Sequence, residues 1–118
     1  MKGDLKERTK KFAHRCVKFA MSLPDTQLGK HIRGQLIRSS TSVAANYRAA
    51  SHAQTRLSFI SKISIVVEEC DETEFWIEFS VDEKICNSQD VADLLDESRQ
   101  ITSIFVTARK TAQHNLKK

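Results

Sequence analysis

The chain has 118 residues, of which 40% are apolar and 29% charged, and its formal net charge is +4. Such a length fits about one domain and is enough to bury a core without disulfides or a structural metal. One proline and three glycines are too few breakers for an all-β domain with many turns, so the composition favours a few long helices.

The first helix is predicted over 4–22. Leu5, Thr9, Phe12, Cys16, Phe19 or Ala20, and Leu23 recur at steps of three and four, which places them on one stripe. Lys6, Arg8, Lys10, Lys11, Arg15 and Lys18 fill the remaining surface, and Asp4 and Glu7 near the start favour the helix dipole. Pro24 stops this helix, because it biases Leu23 away from the α region and has no backbone donor.

A second helix follows over 26–52, with Asp25 or Thr26 as its N-cap. Leu28, Ile32, Leu36, Ser39 or Ser40, Val43, Tyr47 and Ala50 form its stripe. Gly29 and Gly34 each weaken a helix by up to about 1 kcal/mol relative to Ala, a loss that tertiary packing must offset. The small side chains of Ser39, Ser40, Thr41, Ser42, Val43, Ala44 and Ala45 read as a close helix–helix contact. A substrate-binding serine cluster is the sharper alternative.

The third helix covers 55–84, starting from Gln54 or Thr55. Phe59, Ile63, Val66, Cys70, Thr73 and Ile77 make one stripe, while Ile65, Trp76 and Phe79, with Phe75 beside them, lie on another face. A helix apolar on two faces must bury both. The second face therefore predicts a neighbouring subunit, the alternative being a broad monomeric core. Asn87 and Ser88 break and cap before a fourth helix over 89–114, with Asp90 and Asp93 in its first turn and Arg109 and Lys110 near its end. Its stripe is Val91, Leu94 or Leu95, Ser98, Ile101, Phe105, Ala108 and Ala112, and the tail from Asn115 is expected to fray. Four amphipathic helices with short connections predict an all-α, antiparallel up-and-down four-helix bundle, a single domain over 1–118.

The sequence offers no catalytic pattern. His14, His31, His52 and His114 stand alone, with no His pair at metal-binding spacing and no HExxH. Gly29-Lys30 lacks the glycine loop of a phosphate cradle. Glu68-Glu69 and Asp71-Glu72 lack the ExxH partners of a bundle di-metal site. Cys16, Cys70 and Cys86 are an odd count without CxxC spacing, which argues against both a disulfide framework and a zinc site and for reduced thiols. No apolar run of signal or membrane length follows the charged start. The expectation is a cytoplasmic, non-enzymatic protein with no cofactor, no metal and no membrane contact.

Charge is divided unevenly along the chain. Residues 1–60 hold 12 Lys and Arg against 3 Asp and Glu, a balance of +9; residues 61–118 hold 7 against 12, a balance of −5. If the second and third helices form a hairpin turning near residue 53, positions i and about 107 − i lie level. Arg38 then sits beside Glu69, and Arg33 and Gln35 beside Glu72 and Glu74. Exposed pairs of this kind contribute about 0–1 kcal/mol each, so their use is in fixing register and partner choice. The basic row of the first helix has no obvious acidic counterpart. Lys6, Arg8, Lys10, Lys11, Arg15 and Lys18, joined by Lys30, Arg33 and Arg48, are candidates for tracking a phosphate backbone of RNA or DNA. No aromatic platform interleaves them, so base-specific readout is not expected.

The most specific feature is a long motif. The run from Gln35 to Ala50, QLIRSSTSVAANYRAA, with Phe59-Ile60-Ser61-Lys62 and the stretch Glu68 to Glu78, EECDETEFWIE, closely resembles the bacterial four-helix-bundle proteins named after the intervening sequence of 23S rRNA genes, the S23 family. The resemblance covers roughly residues 8–112. It implies an up-and-down bundle that assembles into a ring, typically a homopentamer. It also implies kinship with the accessory proteins of diversity-generating retroelements, similar basic pentameric rings that bind nucleic acid and a reverse transcriptase. No catalytic residues carry over. Val67 and Cys70 stand where the family often has Glu and Ala, so the acidic face of the third helix is less charged here. The sequence reading is therefore a non-enzymatic homo-oligomer that binds nucleic acid through its first two helices, with Ile65, Phe75, Trp76 and Phe79 at the subunit interface and Arg38, Glu69 and Glu72 pairing between helices. A protein-interaction scaffold with no direct nucleic-acid contact is the alternative.

Overall fold

The computed structural model describes residues 2–117. Four α-helices follow one another: α1 Lys2–Met21, α2 Gln27–Ser51, α3 Arg56–Asp82 and α4 Ser88–Lys117. The side chains of Asp4 and Asp90, both expected in first turns, lie outside the described residues.

Each boundary has a local cause. After Met21 the chain tightens, with Ser22 N–H donating to Phe19 O at 3.0 Å and Leu23 N–H to Ala20 O at 3.2 Å, ahead of Pro24. Thr26 is the N-cap of α2 and accepts from Gly29 N at 3.0 Å. Gly29 is required by a close approach: a Cβ there would sit 1.9 Å from the carbonyl oxygen of Pro24, whereas a Cβ on Gly34 would meet nothing within 4 Å. The expectation that both glycines merely weaken α2 thus holds for Gly34 and misses the part Gly29 plays at the α1–α2 corner. Thr55 caps α3 by accepting from Ser58 N at 3.0 Å. At the other end, Lys84 N–H donates to Val81 O and Ile85 N–H to Ser80 O. That is a Schellman stop, and it holds Lys84 at φ 58°, where glycine is the usual residue. Asn87 Oδ1 accepts from Gln89 N at 2.9 Å and opens α4. α4 continues to Lys117, and Arg56 donates to Asn115 O at 3.1 Å.

The helices form a four-helix bundle measuring 50 × 22 × 19 Å. Sequential helices pack closely on one another, while α1 touches α4 only lightly. The stripes meet in one core built on Phe12 and Cys16 from α1, Ile32, Leu36 and Val43 from α2, Ile63, Val66 and Ile77 from α3, and Ile101 and Phe105 from α4. Burying side chains of this size contributes about 1.5–3 kcal/mol each. Tyr47 crosses toward α4, its ring centroid 5.1 Å from that of Phe105.

The small-residue segment of α2 lies against α3. Ser39 and Ser40 are both fully buried. Thr73 Oγ1 donates to Ser39 Oγ at 2.8 Å, and Ser40 Oγ donates to Leu36 O at 2.6 Å. These hydroxyls are satisfied by the helices themselves, which is the close-packing reading of the segment. Ser98 Oγ, also buried, finds no partner among the described residues.

Candidate nucleic-acid interface

The basic residues of α1 divide into three sets by their position around the helix. Arg8 faces α4. Its Nε and Nη2 donate to the two carboxylate oxygens of Glu97 at 2.8 and 2.7 Å, and Nη2 also donates to Gln100 at 3.0 Å. This forked bond holds the Glu97 carboxyl below the usual carboxylate range and raises the arginine further. The basic row of α1 therefore does have an acidic partner at one point, on α4.

Lys11, Arg15 and Lys18 follow at intervals of four and three and point away from the core. All are exposed, and none forms an ion pair among the described residues. Lys6 and Lys10 turn toward α2. Lys6 Nζ lies 3.4 Å from His52 Nε2, and Lys10 is exposed.

On α2, Arg33 is committed to the corner. It donates to Leu23 O at 2.7 Å, Ala20 O at 3.3 Å and Asp25 Oδ1 at 2.9 Å. It thus satisfies Leu23 O just past the end of α1 and adds a second donor to Ala20 O, which already accepts from Leu23 N–H. The expected placement of Arg33 and Gln35 beside Glu72 and Glu74 does not occur. Arg33 is drawn to α1 by those carbonyls, Gln35 accepts from Arg38 at 3.5 Å, and Glu74 accepts from Arg99 at 3.3 Å. Lys30 and Arg48 are exposed on α2 with no ion pair among the described residues.

Between α1 and α2 runs a groove of about 590 Å³. Ala13, Val17, Thr41, Ala44 and Ala45 line its floor and walls, and Lys6, Lys10, His14 and Arg48 stand around it with Glu7. The small side chains of α2 leave this hollow, while the long basic ones rise beside it.

The α2–α3 side is engaged differently. Arg38 donates to Glu69 Oε2 at 3.0 Å and Oε1 at 3.2 Å, and its other amino group bonds Glu72. Glu72 in turn accepts from Trp76 Nε1 at 3.3 Å. The Arg38 bond, with the indole N–H adding to it, holds the Glu72 carboxyl below its ordinary range. Trp76 is half-buried, its ring edge-on to His31 with centroids 5.4 Å apart. Phe75 is 50% exposed. It packs on Trp76 at 4.9 Å and on Phe79 at 5.7 Å, so three rings form one surface cluster, with half-buried Ile65 farther back along α3. Arg99 of α4, which the sequence analysis left out, bonds Glu74 and Glu78, the latter at 2.9 Å. A register argument finds this pair as well: α3 and α4 turn near residue 86, so 74 and 99 lie level.

Cys16 and Cys70 are buried, and Cys86 is half-buried. Burial pushes Cys16 and Cys70 up to about 12, so both stay protonated near neutral pH and are poor nucleophiles. Among the described residues no group of three or more His, Cys, Asp or Glu is placed to hold a metal ion. No described helix is long and apolar enough to cross a membrane.

Comparison with known proteins adds two findings. Residues 2–107 match the family described as 23S rRNA-intervening sequence protein. Among solved structures, a protein of unknown function from the S23 ribosomal protein family of Bacteroides thetaiotaomicron is similar at 30% identity, with a TM-score of 0.81, covering 93% of this chain and 99% of its own. No curated protein matches.

Proposed function

This chain belongs to the 23S rRNA-intervening sequence protein family, and from that premise we propose that it is a non-enzymatic, oligomeric bundle that binds RNA or another nucleic acid through α1 and α2. One observation carries the reading. Lys10, Lys11, Arg15, Lys18, Lys30 and Arg48 share two adjacent helices and are exposed, with no ion pair among the described residues, although Arg15 lies near enough to Glu97 to help hold that carboxyl down. Cations without a protein partner can exchange their counterions for phosphates, which yields affinity without sequence preference. Arg8 and Arg33 take no part, because their guanidiniums serve the fold. Lys6, close to His52, is at the margin of the surface.

In this reading the protein works as a closed ring of identical subunits, a homopentamer by its family resemblance, and the cluster of Phe75, Trp76 and Phe79 with Ile65 supplies subunit contact. Its compartment is the cytoplasm, where buried thiols such as Cys16 and Cys70 stay reduced. The aromatic cluster also favours a second reading, a scaffold that binds proteins alone, since an exposed apolar patch marks a contact site.

Mobility-shift titration with single-stranded RNA at rising salt separates the two. Nucleic-acid binding predicts a shift at low salt that weakens steadily as salt is added. Absence of any shift at low salt, or a shift indifferent to salt, rejects phosphate-led binding and leaves the scaffold.

A further inference from the structure

We infer that the α1–α2 groove is a socket for the Phe75 cluster of a second copy, so that copies join head to tail. This inference rests on the oligomeric reading above and names the surface that receives the cluster.

The two surfaces are complementary in shape and in charge. The socket has a floor of small apolar side chains, Ala13, Ala44 and Ala45 among them, with Lys10 and Arg48 exposed beside it. The ridge has Phe75 half in solvent, braced by Trp76 and Phe79. Along the same outer side of α3 stand Glu68, Asp71 and Asp82, all exposed and without an ion pair among the described residues. Positions 68, 71, 75 and 82 are separated by one, one and two turns, so the acids lie on either side of the ring along about 21 Å of helix. The groove, from Lys6 to Val17 on α1, extends for about 16 Å. An aromatic ring flanked by carboxylates thus faces an apolar hollow flanked by cations.

Other occupants fit less well. A phosphate backbone has nothing to place on an alanine floor. Two ridges meeting symmetrically would set Glu68 and Asp71 against their own copies, a like-charge contact that costs affinity. One molecule cannot fill its own socket, because the socket lies on the α1 side of α2 and the ridge on the α3 side. The contact is therefore heterologous, and such a contact propagates until it closes into a ring. In the assembled ring Lys10 and Arg48, which stand at the groove, then meet the neighbouring subunit, and the phosphate-binding set narrows to Lys11, Arg15, Lys18 and Lys30.

Complementation tests this directly. Ala45→Glu blocks the socket and Phe75→Lys spoils the ridge, both at exposed helical positions. Wild type, each variant and an equimolar mixture are compared by native mass spectrometry, with helicity checked by circular dichroism. Each variant alone is expected to be monomeric, with self-association weakened more than about tenfold. The mixture is expected to give a 1:1 dimer and nothing larger, since it contains one intact socket and one intact ridge. Lys10→Glu mixed with Asp71→Lys covers the case in which a bulkier variant misfolds: each alone sets like charges across the contact and is expected to be monomeric, whereas the mixture restores both contacts and is expected to assemble in alternating copies beyond a dimer. Wild-type assembly together with an unimpaired Ala45→Glu, or with a mixture that stays monomeric, overturns the socket while leaving the oligomer standing. A monomeric wild type removes the oligomer itself. Loss of RNA binding by Ala45→Glu with assembly intact assigns the groove to nucleic acid and overturns the inference.

Discussion

Arg8 and Lys11 are three residues apart on one helix, yet one is spent and the other is not. Arg8 grips Glu97 across the α1–α4 seam with both faces of its fork, while Lys11 projects into solvent with no ion pair among the described residues. The same division separates the two sides of α2. Arg38 is clamped to Glu69 and Glu72; Lys30 and Arg48 form no ion pair among the described residues. Net charge alone would assign all of these residues to one basic surface. Among the described residues the α3 and α4 acids form ion pairs with Arg8, Arg38 and Arg99, and the proposed surface is drawn from the exposed cations of α1 and α2 outside those pairs.

Substitutions should separate the two classes. The largest effect belongs to the open set. Replacing Lys11, Arg15 and Lys18 together by Gln should weaken RNA binding more than about tenfold and leave the melting temperature nearly unchanged, as calorimetry and mobility shifts can check. Next is the corner. Arg33→Ala removes three hydrogen bonds and strands Leu23 O beyond the end of α1, which should cost about 1–3 kcal/mol in urea unfolding with little change in RNA affinity. Arg8→Ala should cost about 1 kcal/mol, again sparing RNA binding. If Arg33→Ala or Arg8→Ala impairs binding as much as the triple variant, the division between spent and open cations is wrong.

The engaged pairs also make a pH prediction. Glu72 and Glu97 titrate below their ordinary value of 4.5 in the folded protein. A carboxyl depressed on folding contributes stability above its unfolded value, and that contribution is lost as pH falls through the folded one. Stability should therefore decline in acid below about pH 4.5, and the decline should be shallower in Arg8→Ala, whose Glu97 has lost its hydrogen-bonded partner and keeps only the weaker influence of Arg15. Urea titrations at a series of pH values measure this. The smallest effects concern the glycines of α2. Gly34→Ala should stabilise by up to about 1 kcal/mol, because its Cβ meets open space. Gly29→Ala should do the opposite, by about 1–3 kcal/mol, because its Cβ would strike Pro24.

How much of this was legible follows from what fixes each feature. Helix stripes are local in sequence, and most buried residues fall on the stripes read from periodicity, whereas Ala13, Gly29 and Ser80 are buried beside them. Helices joined by a short turn have a register set by simple counting, which places Arg38 level with Glu69 and, applied to α3 and α4, Arg99 level with Glu74. No turn joins α1 to α4, so nothing in the sequence aligns Arg8 with Glu97. Counting also failed for Arg33, where the carbonyls of a neighbouring helix end outbid a carboxylate farther along. The value of Gly29 was hidden for a related reason, since only the folded corner brings the Pro24 carbonyl against it. The candidate surface was visible as a list of cations, but its division into spent and open members was not, because that depends on which acids the bundle brings close.

The most direct test is the slope of log affinity for single-stranded RNA against log salt, measured for wild type, Lys11→Gln, Arg15→Gln, Lys18→Gln and Arg8→Ala. Each open cation should carry about 0.7 of the slope, so each of the three Gln variants should flatten it by that amount and Arg8→Ala should leave it as in wild type. A slope that stays put in the Gln variants, or drops in Arg8→Ala, would contradict the account.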